Sequence, residues 1–525
     1  MPASVTLKQL SYSTPDGHTL FSDLDLTFGP VRTGLTGRNG TGKTTLLRII
    51  AGEVQPASGS VLCSGTFAML RQHIDTVCQV ADLLGVGDAL ARLDRLERGE
   101  GKEEDFLSAD WTLPSRIDAA VAQMGLPALE PNRPLATLSG GQRTRVALAA
   151  LILQQPDFIF LDEPTNNLDA GGRAAVAHLL HQWRGGAIVV SHDRTLLRWM
   201  DAIVELTTLG ATTYGGNWDH YQDAKARELA AAQHDLATAE RQEHDAARRA
   251  QEAREKQARR DGRGKREGAK GGTPRILLGM MKNRAEQSGG AVENLADKQR
   301  SQATEQLTAA RAKVEVLTPL SVKLNSTGLP AGRIVLSATG ITGGPDPEHP
   351  IIRNLSLTLT GPERVAIAGP NGSGKTSLLR LLTGDLPCLQ GTVRLGGSMA
   401  FLDQSVSLLD PEQTIRENFA RLNPDSNENT VRAALARFMF RAEAAMQHVG
   451  SLSGGERMRA GLAVTIGGDN PPALLCLDEP TNHLDISAIE AVEAGLRGFD
   501  GALLVVSHDA DFLTAIGTDR QVTLD

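Results

Sequence analysis

Two glycine-rich loops in this 525-residue chain have the residue types and the spacing to bind phosphate. They read GRNGTGKTT from Gly37 and GPNGSGKTS from Gly369, and both fit the pattern G-x-x-x-x-G-K-[ST]. The glycines let successive backbone N–H groups turn toward a phosphate, at a helix N-terminus whose dipole favours anions. The lysine would reach the β- and γ-phosphates of a nucleotide, and the residue after it would hold Mg²⁺. These pairs are Lys43 with Thr44 and Lys375 with Thr376.

A pair of adjacent carboxylates follows an apolar stretch in each half of the chain, as Asp162 with Glu163 and as Asp478 with Glu479. An aspartate at the end of a buried strand can reach a metal, which keeps it ionised. The neighbouring glutamate is then placed to accept a proton from an attacking water. An isolated pair of this kind is more often a solvated strand end, so the interpretation depends on the glycine loop upstream.

The loops and the carboxylates belong to an internal repeat. Two further motifs recur in the same order: LSGGQ and LSGGE at Leu138 and Leu452, and VVSHD at Val189 and Val505. The histidines of the second motif, His192 and His508, could hydrogen-bond a γ-phosphate, which a lone histidine would not suggest. The first half has about 18 extra residues between its glycine loop and LSGG, and we expect them within residues 88–110.

The elements that must position these residues are predicted from hydrophobic periodicity. An apolar, β-rich stretch precedes each glycine loop, and leucines at helical spacing follow it. The apolar runs before the LDEP and SHD motifs are typical of strands buried on both faces of a parallel sheet. They are residues 158–161, 187–190, 473–477 and 502–506. The predicted fold class is α/β, with phosphate-loop domains at 1–209 and 331–525 joined by a helical linker at 210–330.

Composition restricts the classes of protein and of partner. Lys and Arg number 54 against 62 Asp and Glu, so a nucleic acid would have to bind a local basic patch. The four cysteines lie far apart, which argues against a zinc site, an iron–sulfur cluster and a disulfide framework. No apolar run approaches the roughly 18 residues that span a bilayer. We therefore expect a cytoplasmic protein without a transmembrane segment.

The predicted linker is charged and rich in alanine, and it contains two apolar seams at helical spacing. The first comprises Leu229, Ala232, Leu236, Ala239, Ala246, Ala250 and Ala253, and the second Ala296, Ala303, Leu307, Ala310, Val314 and Leu317. They predict an antiparallel helical hairpin. Residues 248–286 hold 13 Lys and Arg against 5 Asp and Glu, with an apolar cluster at 276–281, so RNA is the expected partner of this basic tip. The alternative is a solvated, partly disordered linker.

The motifs resemble ATP-binding cassette domains, over about four fifths of the chain. They match Walker A loops at Gly37 and Gly369, Walker B strands ending at Asp162 and Asp478, signatures at Ser139 and Ser453, Q-loop residues Gln72 and Gln404, and switch histidines His192 and His508. In that family two cassettes pack head to tail, so that each ATP lies between the Walker A loop of one half and the signature of the other. The resemblance thus implies two hydrolytic sites, each shared between the halves.

The resemblance also implies a role for each matching residue. The catalytic residues would be Glu163, Glu479, His192 and His508, and the Mg²⁺ ligands Thr44, Gln72, Asp162, Thr376, Gln404 and Asp478. The ATP-binding residues would be Tyr12, Gly37, Asn39, Gly40, Gly42, Lys43, Thr44, Thr45, Ser139, Gly140, Gly141, Gly369, Asn371, Gly372, Gly374, Lys375, Thr376, Ser377, Ser453, Gly454 and Gly455. The family usually stacks adenine on an aromatic residue, which Tyr12 fits. Residues 334–350 contain no aromatic, so the base should be held less specifically at the second loop.

Two cassettes on one chain, the lead-in YGGNWDHY from Tyr214 and a charged hairpin between them resemble the ABC-F proteins, cytoplasmic ATPases that act on ribosomes. In that family the linker enters the tRNA exit site and its tip approaches the P-site tRNA and the peptidyl-transferase centre. A long tip is similar to that of members that protect ribosomes from antibiotics. The short insertion after Gln72 implies that the arm that some members extend toward the ribosomal L1 stalk is reduced or absent.

The resemblance implies that ATP closes the cassettes of a monomer and that hydrolysis releases the ribosome, with no DNA partner. Two alternatives belong to other classes. A motor subunit for a separate membrane transporter would co-purify with a membrane protein, but it gives no reason for a long basic hairpin. A DNA-repair ATPase is less consistent with the sequence, because the best-known example with fused cassettes has zinc-type cysteine pairs.

Overall fold

The structure is a computed structural model that describes residues 3–70, 74, 76–166, 168–208, 210–268, 298, 301–308 and 324–524. The chain divides into two compact units, one of residues 1–220 with 320–525 and the other of residues 221–319. Both repeated halves belong to the first unit, and the linker provides the second. In this described part of the chain, no helix has the length and the apolar character that crossing a membrane requires.

The first half alternates strands and helices as the sequence predicts. Its elements are β1 (Ser4–Ser13), β2 (Thr19–Phe28), β3 (Arg32–Thr36), α1 (Lys43–Ile50), β4 (Ser58–Ser64), β5 (Phe67–Leu70), α2 (Val80–Leu84), α3 (Gly87–Glu97), α4 (Glu103–Leu107), α5 (Leu113–Gln123), α6 (Gly140–Gln154), β6 (Phe158–Asp162), α7 (Ala170–Gln182), β7 (Gly186–Val190), α8 (Arg194–Leu197), β8 (Ala202–Thr207) and β9 (Gly210–Gly215). The linker begins with α9 (Trp218–Gly268), and residues 301–308 form a further helical segment, α10.

The second half repeats most of this order. Its elements are β10 (Ile334–Gly343), β11 (Ile352–Thr360), β12 (Arg364–Ala368), α11 (Lys375–Thr383), β13 (Gln390–Leu395), β14 (Met399–Leu402), α12 (Ile415–Leu422), α13 (Glu428–Arg437), α14 (Gly454–Ile466), β15 (Leu474–Asp478), α15 (Ile486–Gly498), β16 (Ala502–Val506), α16 (Ala510–Ala515) and β17 (Arg520–Thr523). The first half has α3 and α4 between α2 and α5, whereas α13 follows α12 directly. These two helices account for the extra residues expected within 88–110.

Each half has a central sheet whose buried strands place the repeated motifs at one edge. The strand order is β5-β6-β7-β3-β8-β9 in the first half and β14-β15-β16-β12-β17 in the second. All neighbouring strands are parallel except β9, which runs antiparallel to β8. Every residue of β6, β7, β15 and β16 is buried, as expected for strands covered on both faces. Because parallel strands end at the same edge, the loops after β3, β6 and β7 meet there.

A second, antiparallel sheet covers the phosphate-loop helix in each half. The orders are β2-β1-β4 and β11-β10-β13. In the first half, Leu46 and Leu47 of α1 are fully buried in a core that also contains Phe158 and Phe160 of β6. The helix therefore lies between the two sheets, and this packing fixes the position of the loop at its N-terminus.

Helix α9 covers the positions of the first predicted seam. It runs for 51 residues, or about 75 Å at 1.5 Å per residue. Ala232, Ala239 and Ala250 of the predicted seam are buried, and so are Ala303 and Leu307 of the second seam. The side chain of Ala253, the positions Ala296, Ala310, Val314 and Leu317, and the tip at 275–284 lie outside the described residues. The hairpin as a whole stays a prediction.

The ends of the linker are shorter than the range 210–330 suggests. Strand β9 pairs with β8 as an edge of the first sheet. At the other end, the Asn325 Nδ2 donates to the carbonyl oxygen of Gly468 (3.1 Å), and the Thr327 N–H donates to Asp500 (2.8 Å). These contacts attach residues 324–330 to the second half.

The YGGN lead-in has a local structural role at the start of α9. The side chain of Asn217 accepts hydrogen bonds from the backbone N–H groups of Asp219 (3.2 Å) and His220 (3.3 Å), which is the position of an N-cap. The next residue, Trp218, is 1% exposed. The linker helix is therefore both capped and anchored where it leaves the first half.

We expect Asn217→Ala to increase amide hydrogen exchange in the first turn of α9 about fivefold, because losing an N-cap acceptor costs about 1 kcal/mol. Asn217→Asp keeps the acceptor and is the matched control. Equal exchange in the two variants would contradict the capping role.

Candidate functional site

The two glycine loops adopt nearly the same conformation, and their first glycines have no space for a side chain. At Gly37 φ is +147° and a Cβ would lie 2.2 Å from the carbonyl oxygen of Leu206. At Gly369 φ is +149° and a Cβ would lie 2.5 Å from the carbonyl oxygen of Leu524. Each loop therefore passes directly against backbone at its start and then turns into α1 or α11.

The lysine of each loop is buried and donates to the loop itself. Lys43 Nζ donates to the carbonyl oxygens of Gly37 (2.7 Å) and Arg38 (3.0 Å). Lys375 Nζ donates to those of Gly369 (2.9 Å) and Pro370 (2.9 Å). Burial lowers the pKa of both lysines, while nearby carboxylates oppose the change. Each ammonium is thus held beneath its loop, where a phosphate would meet it.

The aspartates at the ends of β6 and β15 have the features of cation ligands. Thr44 Oγ1 donates to Asp162 Oδ1 (3.2 Å), so the two expected Mg²⁺ ligands adjoin each other. The other carboxylate oxygen, Asp162 Oδ2, is buried without a hydrogen-bond partner, as is Asp478 Oδ1. Burial raises the pKa of both carboxyl groups. A buried acceptor without a donor is stabilised by a cation, so these residues fit Mg²⁺.

The glutamate after each aspartate lies beside the switch histidine. Glu163 Oε1 is 3.3 Å from His192 Nε2, and Glu479 Oε1 is 3.4 Å from His508 Nε2. Both glutamates have left-handed backbones, with φ of +48° and +47°, and each is held by a 2.9 Å hydrogen bond from its N–H to the end of the neighbouring strand. Left-handed conformations of non-glycine residues are uncommon and concentrate at functional sites.

Burial shifts both members of each pair toward their neutral forms. It raises the pKa of Glu163 to about 8 and that of Glu479 to about 7. It lowers the pKa of His192 to about 3 and that of His508 to about 4, and the lysine charge adds to this effect. The histidines are therefore neutral hydrogen-bonding groups. A positive charge nearby would lower the pKa of each glutamate and make it a better proton acceptor.

The lysines of the two phosphate loops and both glutamate–histidine pairs lie in two clefts. The first encloses 720 Å³ and is lined by Lys43, Thr44, Glu163 and His192 together with Thr481, Asn482, His483, Leu484 and Ile489 of the second half. The second encloses 350 Å³ and is lined by Lys375, Thr376, Gln404, Asp478, Glu479 and His508 together with Leu168 of the first half. Gln72 lies outside the described residues. Both clefts thus receive residues from both halves of the chain.

Direct hydrogen bonds join each phosphate loop to the opposite half. The Asn39 N–H donates to Asp485 Oδ2 (2.7 Å), and its side chain donates to the carbonyl oxygen of His483 (3.2 Å). In the second loop, the Asn371 N–H donates to Asp169 Oδ2 (3.3 Å). Although burial acts to raise the pKa of Asp485 and of Asp169, their hydrogen bonds hold it below the usual range.

Sequence reasoning missed these two aspartates as functional residues. Each is the last residue of a repeated motif, LDEPTNNLD or LDEPTNHLD, so the repeat contained the signal. Each also caps the helix that follows, by accepting from the N–H of Gly172 or of Ala488. A capping aspartate is the ordinary interpretation of that position, and only the fold shows its second contact.

The signature residues are placed at the starts of α6 and α14. Ser139 and Ser453 cap these helices by accepting from the N–H groups of Gln142 (3.2 Å) and Glu456 (3.3 Å). The adjacent glycines form the first turns: Gly140, Gly141, Gly454 and Gly455. Within the described part of the chain, neither serine is among the residues that line the two clefts. Their pairing with the opposite phosphate loop stays a prediction.

The base-binding side of the first cleft differs from the expected one. The ring of Tyr12 packs 6.3 Å from that of Phe21, against the apolar core of the first half. The residues that line the cleft on this side are Thr14, Asp16, His18 and Leu20. At the second cleft Ile351 takes the place of Leu20: each of these side chains packs against the last glycine of its loop, Gly374 or Gly42. Stacking of adenine on Tyr12 stays a prediction that this arrangement does not support.

Comparison with known proteins places these features in a family. Residues 22–166 and 352–482 match the family described as "ABC transporter". The chain is 33% identical to the tylosin resistance ATP-binding protein TlrC of Streptomyces fradiae, over 94% of this chain and 92% of that protein. The chain belongs to the ABC-F family. It is 30% identical to the energy-dependent translational throttle protein EttA of Mycobacterium tuberculosis, over 97% of this chain and 89% of that one.

A solved structure supports the tandem arrangement of the ABC-F fold. The RNase-L Inhibitor matches 99% of this chain with a TM-score of 0.60, and 87% of its own length is covered. The sequence identity is 18%, so the likeness concerns the fold alone. The family match in both halves and the ABC-F relatives identify the halves as ATP-binding cassettes and the protein as an ATPase.

We expect Asp485→Asn to lower kcat/KM for ATP about tenfold at the first site, because it removes a charge-assisted hydrogen bond from the loop. The amide can still cap α15, which keeps the local fold. A Glu479→Gln background isolates the first site, and steady-state hydrolysis measures the effect. Asp169→Asn, which alters the contact to the second loop, is the matched control.

In the Glu479→Gln background, Asp169→Asn should lower kcat/KM less than Asp485→Asn does. In a Glu163→Gln background, which isolates the second site, Asp169→Asn should have the larger effect. If both substitutions lowered hydrolysis equally in both backgrounds, the assignment of each aspartate to one loop would be wrong.

Proposed function

We propose that this ABC-F ATPase acts on the ribosome in the cytoplasm. ATP binding closes the two cassettes, and the linker then enters toward the P-site tRNA and the peptidyl-transferase region. Hydrolysis opens the cassettes and releases the ribosome. The names of the relatives support the proposal, since one is a translational throttle protein and another confers tylosin resistance.

The observation that carries the proposal is a long charged helix between two cassettes that already contact each other. Helix α9 alone is about 75 Å long. The residues from 248 to 286 have 13 positive against 5 negative charges, while the whole chain has a net charge of −8. Phosphate-rich RNA binds such a local basic segment through counterion release, even when the rest of the protein is acidic.

The chain's own residues would divide the reaction among them. Lys43 and Lys375 would bind the phosphates, and the glutamates Glu163 and Glu479 would accept a proton from water. Neutral His192 and His508 would hydrogen-bond the γ-phosphate. Mg²⁺ would be held at Asp162 with Thr44 and at Asp478 with Thr376, with Gln72 and Gln404 as further ligands, and would neutralise charge on the phosphate oxygens.

The first test is sedimentation of the Glu163→Gln, Glu479→Gln double variant with ribosomes through a sucrose cushion, with ATP or with ADP. We expect co-sedimentation with ATP. Neutralising the six basic residues within 259–270 to glutamine should weaken it at least about tenfold at physiological salt. The matched control neutralises six exposed basic residues of the cassettes: Lys8, Arg98, Arg353, Arg380, Arg394 and Arg432.

The control should still co-sediment with ATP, and binding should fall as salt rises. Absence of association at low salt would refute the ribosome as partner, and capture of a membrane protein would favour a transporter motor. Equal loss in both charge variants would refute a specific role for the linker tip.

A second test concerns antibiotic protection, which the 33% identity to a tylosin resistance protein supports. Expression of the chain in a tylosin-sensitive bacterium should raise the inhibitory concentration of tylosin at least about tenfold, the change produced by about 1.4 kcal/mol in drug binding. The variant with the basic residues within 259–270 neutralised should not. Unchanged inhibition by tylosin and by other drugs directed at the peptidyl-transferase centre would refute protection.

A further inference from the structure

Helix α8 is a point where the first ATP site, the second cassette and the start of the linker meet. It follows His192 and Asp193 directly, and Asp193 caps it by accepting from the N–H of Leu196 (3.1 Å). Asp193 also pairs with Arg173 (3.1 Å), and both residues line the first cleft. The position of α8 is therefore set by residues of the first ATP site.

The first arginine of α8 forms a buried ion pair with the second cassette. Arg194 Nη1 is 2.7 Å from Glu493 Oε1 of α15, and the two side chains are 8% and 4% exposed. Asp509 and Arg497 also act on this glutamate. Breaking a buried pair leaves uncompensated charges, so this contact resists separation. It is suited to hold the two cassettes together at one point.

Arg198, the residue that follows α8, forms a more exposed bridge. Arg198 Nη1 is 2.7 Å from Asp511 Oδ2 of α16, and Arg198 Nε is 3.1 Å from Asp219 Oδ1 in the first turn of α9. The side chains of Arg198 and Asp511 are 38% and 24% exposed, so their contact is easier to break than the buried pair. One guanidinium thus joins the second cassette to the base of the linker.

Comparison of the two repeated halves shows that the residues of this bridge occur at α8 in the first half and not at the equivalent helix, α16, in the second. Aligning SHDRTLLR with SHDADFLT places Ala510 opposite Arg194 and Thr514 opposite Arg198. The acidic partners are also not repeated, because Ala177 corresponds to Glu493 and Thr195 to Asp511. The equivalent helix α16 therefore cannot make either ion pair toward the first cassette.

We propose that Arg198 is a positioning residue that couples the pairing of the cassettes to the first turn of the linker helix, on the side of the first ATP site. When the cassettes separate, the exposed contact to Asp511 breaks and the contact to Asp219 remains. The base of α9 is then tied to the first cassette alone. The inference deepens the proposed function and rests on it for what the linker reaches.

The test is amide hydrogen exchange of residues 219–232 in the Glu163→Gln, Glu479→Gln protein without ribosomes, with ATP or ADP. ATP should slow exchange about two- to fivefold, the size expected from a partly exposed ion pair. Arg198→Ala should abolish this ratio of the exchange rate with ADP to the exchange rate with ATP, so that the two rates become equal. Asp511→Asn, which leaves Arg198 and Asp219 in place, should abolish it too, so local misfolding of α9 would not explain the result.

Arg520→Ala is the matched control, because Arg520 forms a pair of the same length with Glu363 inside one cassette (2.7 Å, 40% and 21% exposed). It should keep the ratio. An unchanged ratio in Arg198→Ala or in Asp511→Asn, or no ATP-dependent ratio in the parent, would overturn the coupling. Since no ribosome is present, an intact ratio in a protein that fails to co-sediment would refute the proposed function and leave the coupling in place.

Discussion

Both ATP sites depend on ionisable side chains being held out of water at the carboxyl edges of two parallel sheets. Burial lowers the pKa of Lys43 and raises those of Asp162 and Glu163, so each group is shifted toward its neutral form. The loop carbonyls provide acceptors for the lysine, but one oxygen of Asp162 has no donor. Such a cluster is incompletely satisfied by the protein alone. A bound phosphate and a divalent cation would supply the charges that it lacks.

The need to satisfy polar groups at the phosphate loops also explains why the two cassettes contact each other. A phosphate loop presents backbone N–H groups, and in this structure the opposite cassette satisfies one of them at each site. Asp485 accepts from Asn39 at 2.7 Å, whereas Asp169 accepts from Asn371 at 3.3 Å. Each aspartate also accepts from a backbone N–H of the helix that it caps, Ala488 for Asp485 and Gly172 for Asp169, and these hydrogen bonds hold the pKa of both carboxyl groups below the usual range. Each cassette therefore contributes a fixed negative charge beside the other's loop, and the two contacts differ in length.

Much of the site could be predicted from the sequence, because repeated motifs report local geometry. The glycine loops, the carboxylates and the histidines all lie where strands end, and the edge of a parallel sheet brings such positions together. The hydrogen bonds between the halves were harder to predict from the sequence, because Asp485 has the sequence context of an ordinary helix cap. The position of Tyr12 depends on which neighbour its ring packs against, and Phe21 of the next strand is that neighbour. Strand β9 was missed because it is an edge strand with small, polar residues.

The differences between the halves concern the linker more than the chemistry. Both sites keep a lysine, an Asp–Glu pair and a histidine, so the reaction does not require the halves to diverge there. Helix α9, however, leaves only the first cassette, and its buried first residue Trp218 lies one position before Asp219, the partner of Arg198. A contact from the cassette interface to the linker can therefore be made from α8 and not from α16. Arg198, which contacts the linker from the end of α8, is replaced by Thr514 in the second half, where no linker helix begins.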